Sequence, residues 1–285
     1  MKRWMHIFGS LLGFVGVAFV AQRLYSYGAQ IDFSGFNILS WAIIAGMTMA
    51  YGSANVLLAY AWQQILAFLD VKVSVHWAIK VYGQSQIAKY VPGNIVHLAG
   101  RQVLGMAAGY PMKLLIKSTV WELVLFTIAG VSFAALVLPL IFAGLSVYPS
   151  VALFLLSVLL LGFVANKIFS SKIAKSIFGQ ILFLVLSGIL FVGALSVVVP
   201  NAVTADTFST WCGAYVLAWL AGFVTPGAPA GVGVREMVLL FLLGGSVAQG
   251  DLLLAVVLGR VVTVLGDFCF FVMTFFLNPR TTLSV

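Results

Sequence analysis

Charged residues are scarce in this sequence: they make up 8% of its 285 residues, whereas soluble domains carry about 25%. Apolar residues reach 62%, and the mean hydropathy is +1.14. The low charge excludes a soluble globular enzyme, and the composition excludes a disordered or collagen-like chain. Fifteen basic residues outnumber seven acidic ones. No soluble basic module accompanies this excess, so we expect no nucleic-acid partner.

Cysteine and histidine are also rare. Cys212 and Cys269 lie far apart in apolar segments, which is typical of small packing residues. The three histidines, His6, His76 and His97, lack the spacing of metal ligands. We therefore expect neither a metal nor another cofactor, and we interpret His97 as a packed or pore-lining residue.

Long apolar segments dominate the sequence instead. Crossing a bilayer takes about 20 apolar residues, and we predict transmembrane helices at about 5–22, 39–69, 118–142, 148–166, 178–199 and 252–278. Basic residues before the first segment are also typical of a signal peptide, but the length of the segment favours an uncleaved helix. Gly9 and Gly13 form a GxxxG pattern there, which favours close helix packing and is compatible with a homodimer.

Two regions, about 74–113 and 211–247, are too polar or too interrupted for ordinary spans. The first contains Pro92-Gly93-Asn94 and the second contains Pro226-Gly227. Backbone opened by proline and glycine inside a membrane is tolerated only where protein or a wet cavity satisfies it. We predict that each region is a re-entrant hairpin of two half-helices. Asn94 suits an N-cap, so the second half-helix of the first hairpin should begin there.

The basic residues predict the orientation in the membrane. With the N-terminus in the cytoplasm, ten of the fifteen fall on that side: Lys2, Arg3, Lys72, Lys80, Lys113, Lys117, Lys167, Lys172, Lys175 and Arg280. The outer loops hold one, Arg23. Because basic loops stay in the cytoplasm, both termini should be cytoplasmic and 200–210 external. The first hairpin then opens to the cytoplasm and the second to the outside, in what we expect to be a prokaryotic inner membrane.

The two breaks also predict an internal repeat. Pro92-Gly93 and Pro226-Gly227 are the chain's two Pro-Gly dipeptides, and 226 − 92 gives an offset of 134. An Arg follows each proline by nine residues, at Arg101 and Arg235. The offset also places the helices at 39–69 and 118–142 on helices of the second half. We predict a single membrane domain, 1–285, whose halves 1–142 and 143–285 form an inverted repeat, a pattern that points to a transporter's binding site.

Seven ionisable residues fall at membrane depth, where each costs about 3 kcal/mol unless it is paired or solvated. They are Lys89, Arg101, Arg235, Arg260, Glu122, Glu236 and Asp267. The bases either bind a ligand or form structural pairs, such as Arg235 with Glu236 and Arg260 with Asp267. Glu122 comes early in its predicted helix, so its side chain should reach the membrane interface. Glu122, Glu236 and Asp267 are also candidates for proton binding or for ion pairing.

The hairpin tips suit an anion. Half-helix N-termini at Asn94 and at Gly231–Gly233 would direct backbone N–H groups at a ligand, and glycines allow it to approach closely. If both tips meet near the midplane, these N-termini and the cations Lys89, Arg101, Arg235 and Arg260 converge. Such a site suits a phosphate or another anionic lipid headgroup, which arginine holds with two parallel hydrogen bonds.

The segment Lys89-Tyr90-Val-Pro92-Gly93 through Gly100-Arg101 resembles the motif KYxPGxxxxxxGR of the lysylphosphatidylglycerol synthase transmembrane-region family. Pro226-Gly227 with Gly231-Val-Gly233-Val-Arg235-Glu236 is similar to that family's PGGxGxRE motif, with Ala228-Pro229-Ala230 in place of a more compact glycine turn. The resemblance covers nearly the whole chain. It implies a flippase-type domain for aminoacylated phospholipids or polyprenyl-phosphate-linked sugars. We expect the chain to correspond to the translocase part alone, without lipid lysylation by a soluble aminoacyl-transfer domain.

The sequence therefore predicts an all-α polytopic membrane protein with about six transmembrane helices plus two opposed re-entrant helical hairpins. We expect it to move an anionic, phosphate-bearing lipid between leaflets, with that lipid or a lipid-linked saccharide as its partner. An intramembrane lipid phosphatase or transferase is the alternative, although no nucleophile and base stand out. A purely structural scaffold is a third reading, which the buried cations disfavour.

Overall fold

The computed structural model describes residues 36–91, 96–142, 144–200, 202–225 and 231–277, with a few isolated positions before them. These residues form ten α-helices and no strand. The helices are α1 (Ile38–Phe68), α2 (Val75–Gln86), α3 (Val96–Ala107), α4 (Met112–Val131), α5 (Ala134–Ile141), α6 (Val147–Ile168), α7 (Ser171–Val198), α8 (Ala205–Val224), α9 (Val234–Leu243) and α10 (Gln249–Met273). A short 3-10 turn, Ile87–Tyr90, continues α2. The protein is all-α.

Six helical segments in the described residues are long and apolar enough to cross a membrane: α1, the continuous pair α4–α5, α6, α7, α8 and α10. The protein is thus a polytopic membrane protein. Five of these agree with predicted spans, and the predicted helix at 5–22 lies outside the described residues. The sixth, α8, differs from the prediction of a half-helix beginning at 211. It has 20 residues, about 30 Å at 1.5 Å per residue, which is the length of a full span.

Side-chain caps explain where several helices begin. Asn37, Ser74 and Ser170 each accept a hydrogen bond from the backbone N–H three residues later. Thr204 and Thr207 cap α8 reciprocally, because each side chain accepts the other residue's backbone N–H. The cap satisfies N–H groups that have no partner inside the helix. This explains why α8 begins at Ala205, within the stretch predicted as an outer loop.

The centre of the bundle is α1, which packs against α7 and α10. Glycines allow the approach to α10: a Cβ atom placed on Gly266 would lie 2.9 Å from the backbone oxygen of Thr48 and 3.0 Å from the amide nitrogen of Gly52. Small residues bring helices together in this way in membranes, where van der Waals packing drives association. The approach brings Asn55 of α1 next to Asp267 of α10.

The two ends of the bundle differ in charge. Contacts tie helix termini together at one end, where the Lys172 ammonium donates to the carbonyl of Ala67 (2.6 Å) and the Lys80 ammonium to that of Leu277 (3.1 Å). The lysines near this end are Lys72, Lys80, Lys113, Lys117, Lys167, Lys172 and Lys175. At the opposite end the described residues include Asp206 and Asp251 but no lysine or arginine. This separation follows the pattern of basic cytoplasmic loops.

The order of helices in the first half recurs in the second. Paired starts are Ile38 with Ser171, Val75 with Ala205, Val96 with Val234, and Met112 with Gln249. They are 133, 130, 138 and 137 residues apart, close to the predicted offset of 134. In each half, a long helix precedes a packed pair of shorter elements and a second long helix. The inverted orientation of the halves and the re-entrant course of both pairs stay predictions.

Candidate functional site

Residues of both interrupted regions line one cavity. The cavity has a volume of about 110 Å³. The first region contributes Lys89, His97 and Arg101, and the second contributes Gly231 and Arg235. The tips themselves, with Pro92, Gly93, Asn94, Pro226 and Gly227, lie outside the described residues. The segments on either side of both tips nevertheless line this one cavity, although they are far apart in the sequence.

The cavity lies about halfway along three of the spans. Tyr51 is 13 residues from the start of α1 and 17 from its end, and Phe183 is similarly central in α7. Arg260 follows Gln249 by 11 residues and precedes Met273 by 13, so it lies about 16 Å and about 20 Å from the two ends of α10. A cavity at this position in spanning helices lies near the bilayer midplane.

Lys89 and Asp267 form the first of three ion pairs at the cavity. The Lys89 ammonium lies 2.6 Å from Oδ2 of Asp267. The Tyr90 hydroxyl donates to the same oxygen at 2.5 Å, and the side-chain amide of Asn55 donates to Oδ1 at 3.2 Å. Asp267 is completely buried, whereas the Lys89 side chain is 18% exposed and lines the cavity. The pair therefore joins an accessible cation to an inaccessible carboxylate.

Arg101 and Glu122 form the second pair. Nη1 of Arg101 lies 2.5 Å from Oε2 of Glu122, and the Tyr82 hydroxyl donates to Oε1 at 3.0 Å. The guanidinium lies 3.8 Å from the ring centre of Tyr82 and 5.2 Å from that of Trp62, in cation–π geometry. Arg101 is 1% exposed, and its Nε atom has no hydrogen-bond partner. These aromatic rings and Glu122 hold Arg101 in one orientation.

Arg260 and Glu236 form the third pair. Nε and Nη2 of Arg260 lie 2.8 and 2.6 Å from Oε1 of Glu236. The other oxygen of Glu236 accepts the backbone N–H of Gly233 at 2.8 Å. Gly233, with a φ of +86°, is the N-cap of α9, and Gly231 has a φ of +71°. Glycine tolerates these left-handed conformations, so the two glycines shape the turn from which α9 starts.

Arg235 occupies the second position of α9 and faces the cavity. Its guanidinium carbon lies 5.9 Å from the ring centre of Tyr215, and the residue is half-buried. Gly222 and Gly231 touch beside it: a Cβ atom on Gly222 would lie 2.8 Å from the Cα atom of Gly231. This contact holds the end of α8 against the start of α9, so Arg235 projects into the cavity from a fixed position.

Two sequence-based expectations about these groups are wrong. The considered pairing of Arg260 with Asp267 does not occur, because Glu236 binds Arg260 and Lys89 binds Asp267. Glu122 does not reach the membrane interface. It is 7% exposed and bound by Arg101, because α4 begins at Met112, six residues before the predicted start, which places Glu122 in its middle.

Aromatic rings form the apolar side of the cavity, which the sequence did not predict. The rings of Tyr51, Phe183, Phe126, Trp219 and Phe223 are in successive contact, with centres 4.9 to 6.1 Å apart. Apolar residues inside spans give no sequence signal for such a wall, since lipid-facing and cavity-facing rings look alike. Asn55 was also missed, although an amide in the middle of an apolar span is a readable sign of a buried polar contact.

The cavity combines positive charge with an apolar wall. Four cations line it together with one carboxylate, Glu122, while Asp267 and Glu236 lie behind. Four cations against three carboxylates leave a formal charge of +1. Lys89 and Arg235 are the more exposed cations, and they come from different halves of the chain. His97 also lines the cavity, and its buried Nδ1 atom has no hydrogen-bond partner. Such a surface can bind an anion that carries an apolar group.

Within the described ranges, no three His, Cys, Asp or Glu side chains cluster in a way that could hold a metal ion. Cys212 is buried and Cys269 half-buried, and both are free thiols. No protein-family model matches the sequence, and no curated protein matches it. The resemblance to the lysylphosphatidylglycerol synthase transmembrane-region family therefore depends on the two motifs around Lys89–Arg101 and Pro226–Glu236.

Proposed function

We propose that this protein is a translocase that moves an anionic, phosphate-bearing lipid between the leaflets of a prokaryotic inner membrane, with both of its termini in the cytoplasm. The observation that carries the proposal is the cavity about halfway along the spans, lined by four cations, three of which come from the two interrupted regions. Cations at this depth are costly, and they mark substrate pathways in membrane proteins. Paired broken segments in two halves are where transporters place their binding sites.

Lys89 and Arg235 are the residues we assign to the phosphate. Both are half-buried at the cavity, whereas Arg101 and Arg260 are buried. A phosphate between Lys89 and Arg235 would contact both halves of the chain. Arg235 can form two parallel hydrogen bonds with it, and Lys89 supplies a point charge.

The distribution of the ion pairs between the two halves of the chain is compatible with alternating access. Arg101–Glu122 lies within the first half and Glu236–Arg260 within the second. Neither of these pairs has to break when one half moves relative to the other. One half can then rock against the other around the cavity, while the acyl or prenyl chains of the lipid stay in the bilayer.

Lipid transfer in proteoliposomes tests the proposal. The full chain is reconstituted with fluorescent phosphatidylglycerol, and a membrane-impermeant quencher reports how much probe reaches the outer leaflet. We expect transfer above that of protein-free vesicles, loss of most transfer in Lys89→Gln and Arg235→Gln, and wild-type transfer in the exposed control Lys175→Gln. Transfer equal to protein-free vesicles would refute the proposal. Mass analysis of the recovered lipid distinguishes an enzyme, since covalent change would support the lipid-modifying alternative.

A further inference from the structure

The Lys89–Asp267 pair differs from the other ion pairs of the described residues because it joins the two halves of the chain. Lys89 lies in the 3-10 turn just before the first break, in the first half of the chain. Asp267 belongs to α10 in the second half. Any movement of one half relative to the other therefore changes this ion pair and leaves the other two pairs intact.

The two members of the pair also differ in access. Lys89 lines the cavity, whereas Asp267 is completely buried behind it. An anion that enters the cavity meets the ammonium but not the carboxylate. A phosphate that draws the ammonium away leaves Asp267 with the two neutral donors Tyr90 and Asn55. A buried carboxylate without a counter-charge is strongly unfavourable at membrane depth, and a bound proton removes that penalty.

We infer that Asp267 is a proton-binding site coupled to anion binding through Lys89. It takes up one proton when a lipid phosphate captures the ammonium and releases it when the ion pair forms again. Transport of the anion would then be linked to the proton gradient. This inference rests on the proposed function, because the phosphate of the lipid is the competing ligand.

The surroundings of Asp267 make it a better candidate for the proton-binding site than Glu122 or Glu236. The groups that face it are Lys89 and Tyr90 from the 3-10 turn, and Tyr51 and Asn55 from α1. Arg260, which lies on α10 with Asp267, is paired with Glu236 of α9. Helix α9 also carries Arg235, which lines the cavity. The lysines of α7 lie at the start of α7, away from Asp267. Glu122 and Glu236 are bound by buried arginines, which do not deprotonate and which an anion cannot easily draw away.

Binding calorimetry on the purified full chain tests the inference. The probe is dihexanoyl phosphatidylglycerol, a phosphodiester whose charge stays constant between about pH 5.5 and about pH 8, so any linked proton belongs to the protein. Titrations in two buffers with different ionisation enthalpies count the protons. We expect one proton taken up per lipid, and a Kd that falls with falling pH by up to about tenfold per pH unit.

Asp267→Asn should bind the probe with no proton uptake and no pH dependence, whereas the exposed control Asp206→Asn should behave like the wild type. If the wild type binds the probe without proton uptake, the inference fails and the proposed function stands. If the wild type does not bind at all, both fail. Proton uptake that persists in Asp267→Asn would also overturn the assignment.

Tyr90→Phe supplies a second variant should Asp267→Asn not fold. It removes one hydrogen bond to the ionised carboxylate, so protonation becomes easier. The pH profile of Kd should shift upward by about one pH unit or more. An unshifted profile in a folded Tyr90→Phe protein would contradict the role of Asp267.

Discussion

The guanidinium of Arg101 lies 2.5 Å from the carboxylate of Glu122 and stacks on Tyr82, with almost no exposure to the cavity. The two residues belong to consecutive helices, α3 and α4, whose connection runs from 108 to 111. A pair so enclosed contributes to the position of α3 as much as to the charge of the cavity. This distinguishes Arg101 from Arg235, its counterpart at the offset of 134.

We predict that Arg101→Gln acts mainly on stability. The substitution leaves Glu122 buried without a counter-charge, which typically destabilises by about 3–5 kcal/mol. Thermal unfolding in detergent should show a large decrease in Tm for Arg101→Gln and a much smaller one for the double variant Arg101→Gln/Glu122→Gln, in which no charge remains. Equal decreases in Tm for the single and double variants would show that the unpaired charge of Glu122 does not cause the loss of stability.

A second prediction concerns the phosphate contact of Arg235. Arg235→Gln should weaken binding of an anionic lipid by about 1.5–3 kcal/mol, or roughly ten- to a hundred-fold, because a charge-assisted hydrogen bond is lost. Arg235→Lys should recover only part of the affinity, since lysine cannot form two parallel hydrogen bonds. Binding of fluorescent phosphatidylglycerol to the detergent-solubilised protein measures both. Full recovery by lysine would show that charge alone matters.

The close approach of α1 and α10 gives a third prediction. Gly266→Ala should destabilise the protein by about 1–3 kcal/mol, because the new Cβ atom meets the backbone at Thr48 and Gly52 at 3.0 Å or less. Gly259→Ala in the same helix is the matched control, since a Cβ atom there meets nothing within 4 Å. Unfolding in detergent should separate the two variants. If both lose the same stability, the helix contact is not the cause.

The sequence predicted the fold class, but it did not predict which carboxylates bind Lys89 and Arg260. Composition and the lengths of apolar segments are enough to identify α1, α4, α6, α7 and α10, because a bilayer requires helices of fixed minimum length. The start of α8 was missed, although Thr204 and Thr207 form a recognisable reciprocal cap. Hydropathy alone places the start of such a helix too late, because the first turn of the helix is polar.

The partners in the ion pairs could not be predicted, because they depend on how the helices are rotated and packed. Lys89 and Asp267 are 178 residues apart, and their contact depends on how α10 is rotated about its own axis. In a helix that is apolar on most sides, little periodicity reveals that rotation. Asp267 faces Lys89 because Gly52 and Gly266 let α1 and α10 approach, a contact that only packing reveals.

The fourth prediction is the orientation in the membrane. Ser171 and Ala205 are exposed and begin α7 and α8 at opposite ends of the bundle. Single cysteines placed there avoid the capping residues Ser170 and Thr204, and Cys212 and Cys269 are first replaced by alanine. Because basic loops stay in the cytoplasm, we expect the lysine-rich end to face it. In intact cells, an impermeant maleimide should then label Ala205→Cys but not Ser171→Cys. The reverse labelling would refute the predicted topology.

The last prediction places the two tips side by side. Lys89 and His97 flank the first break, and Trp219, Gly222 and Gly231 flank the second, and all five line the same cavity. The connections between these flanking residues are short, four residues at 92–95 and five at 226–230, and a chain spans at most about 3.6 Å per residue. We therefore expect both tips to lie near the cavity. Cysteines at Asn94 and Ala228 should crosslink through a short bifunctional reagent, whereas Asn94 paired with Ser246, at the far end of α9, should not. Equal crosslinking of both pairs, or crosslinking of the control alone, would contradict a shared site at the midplane.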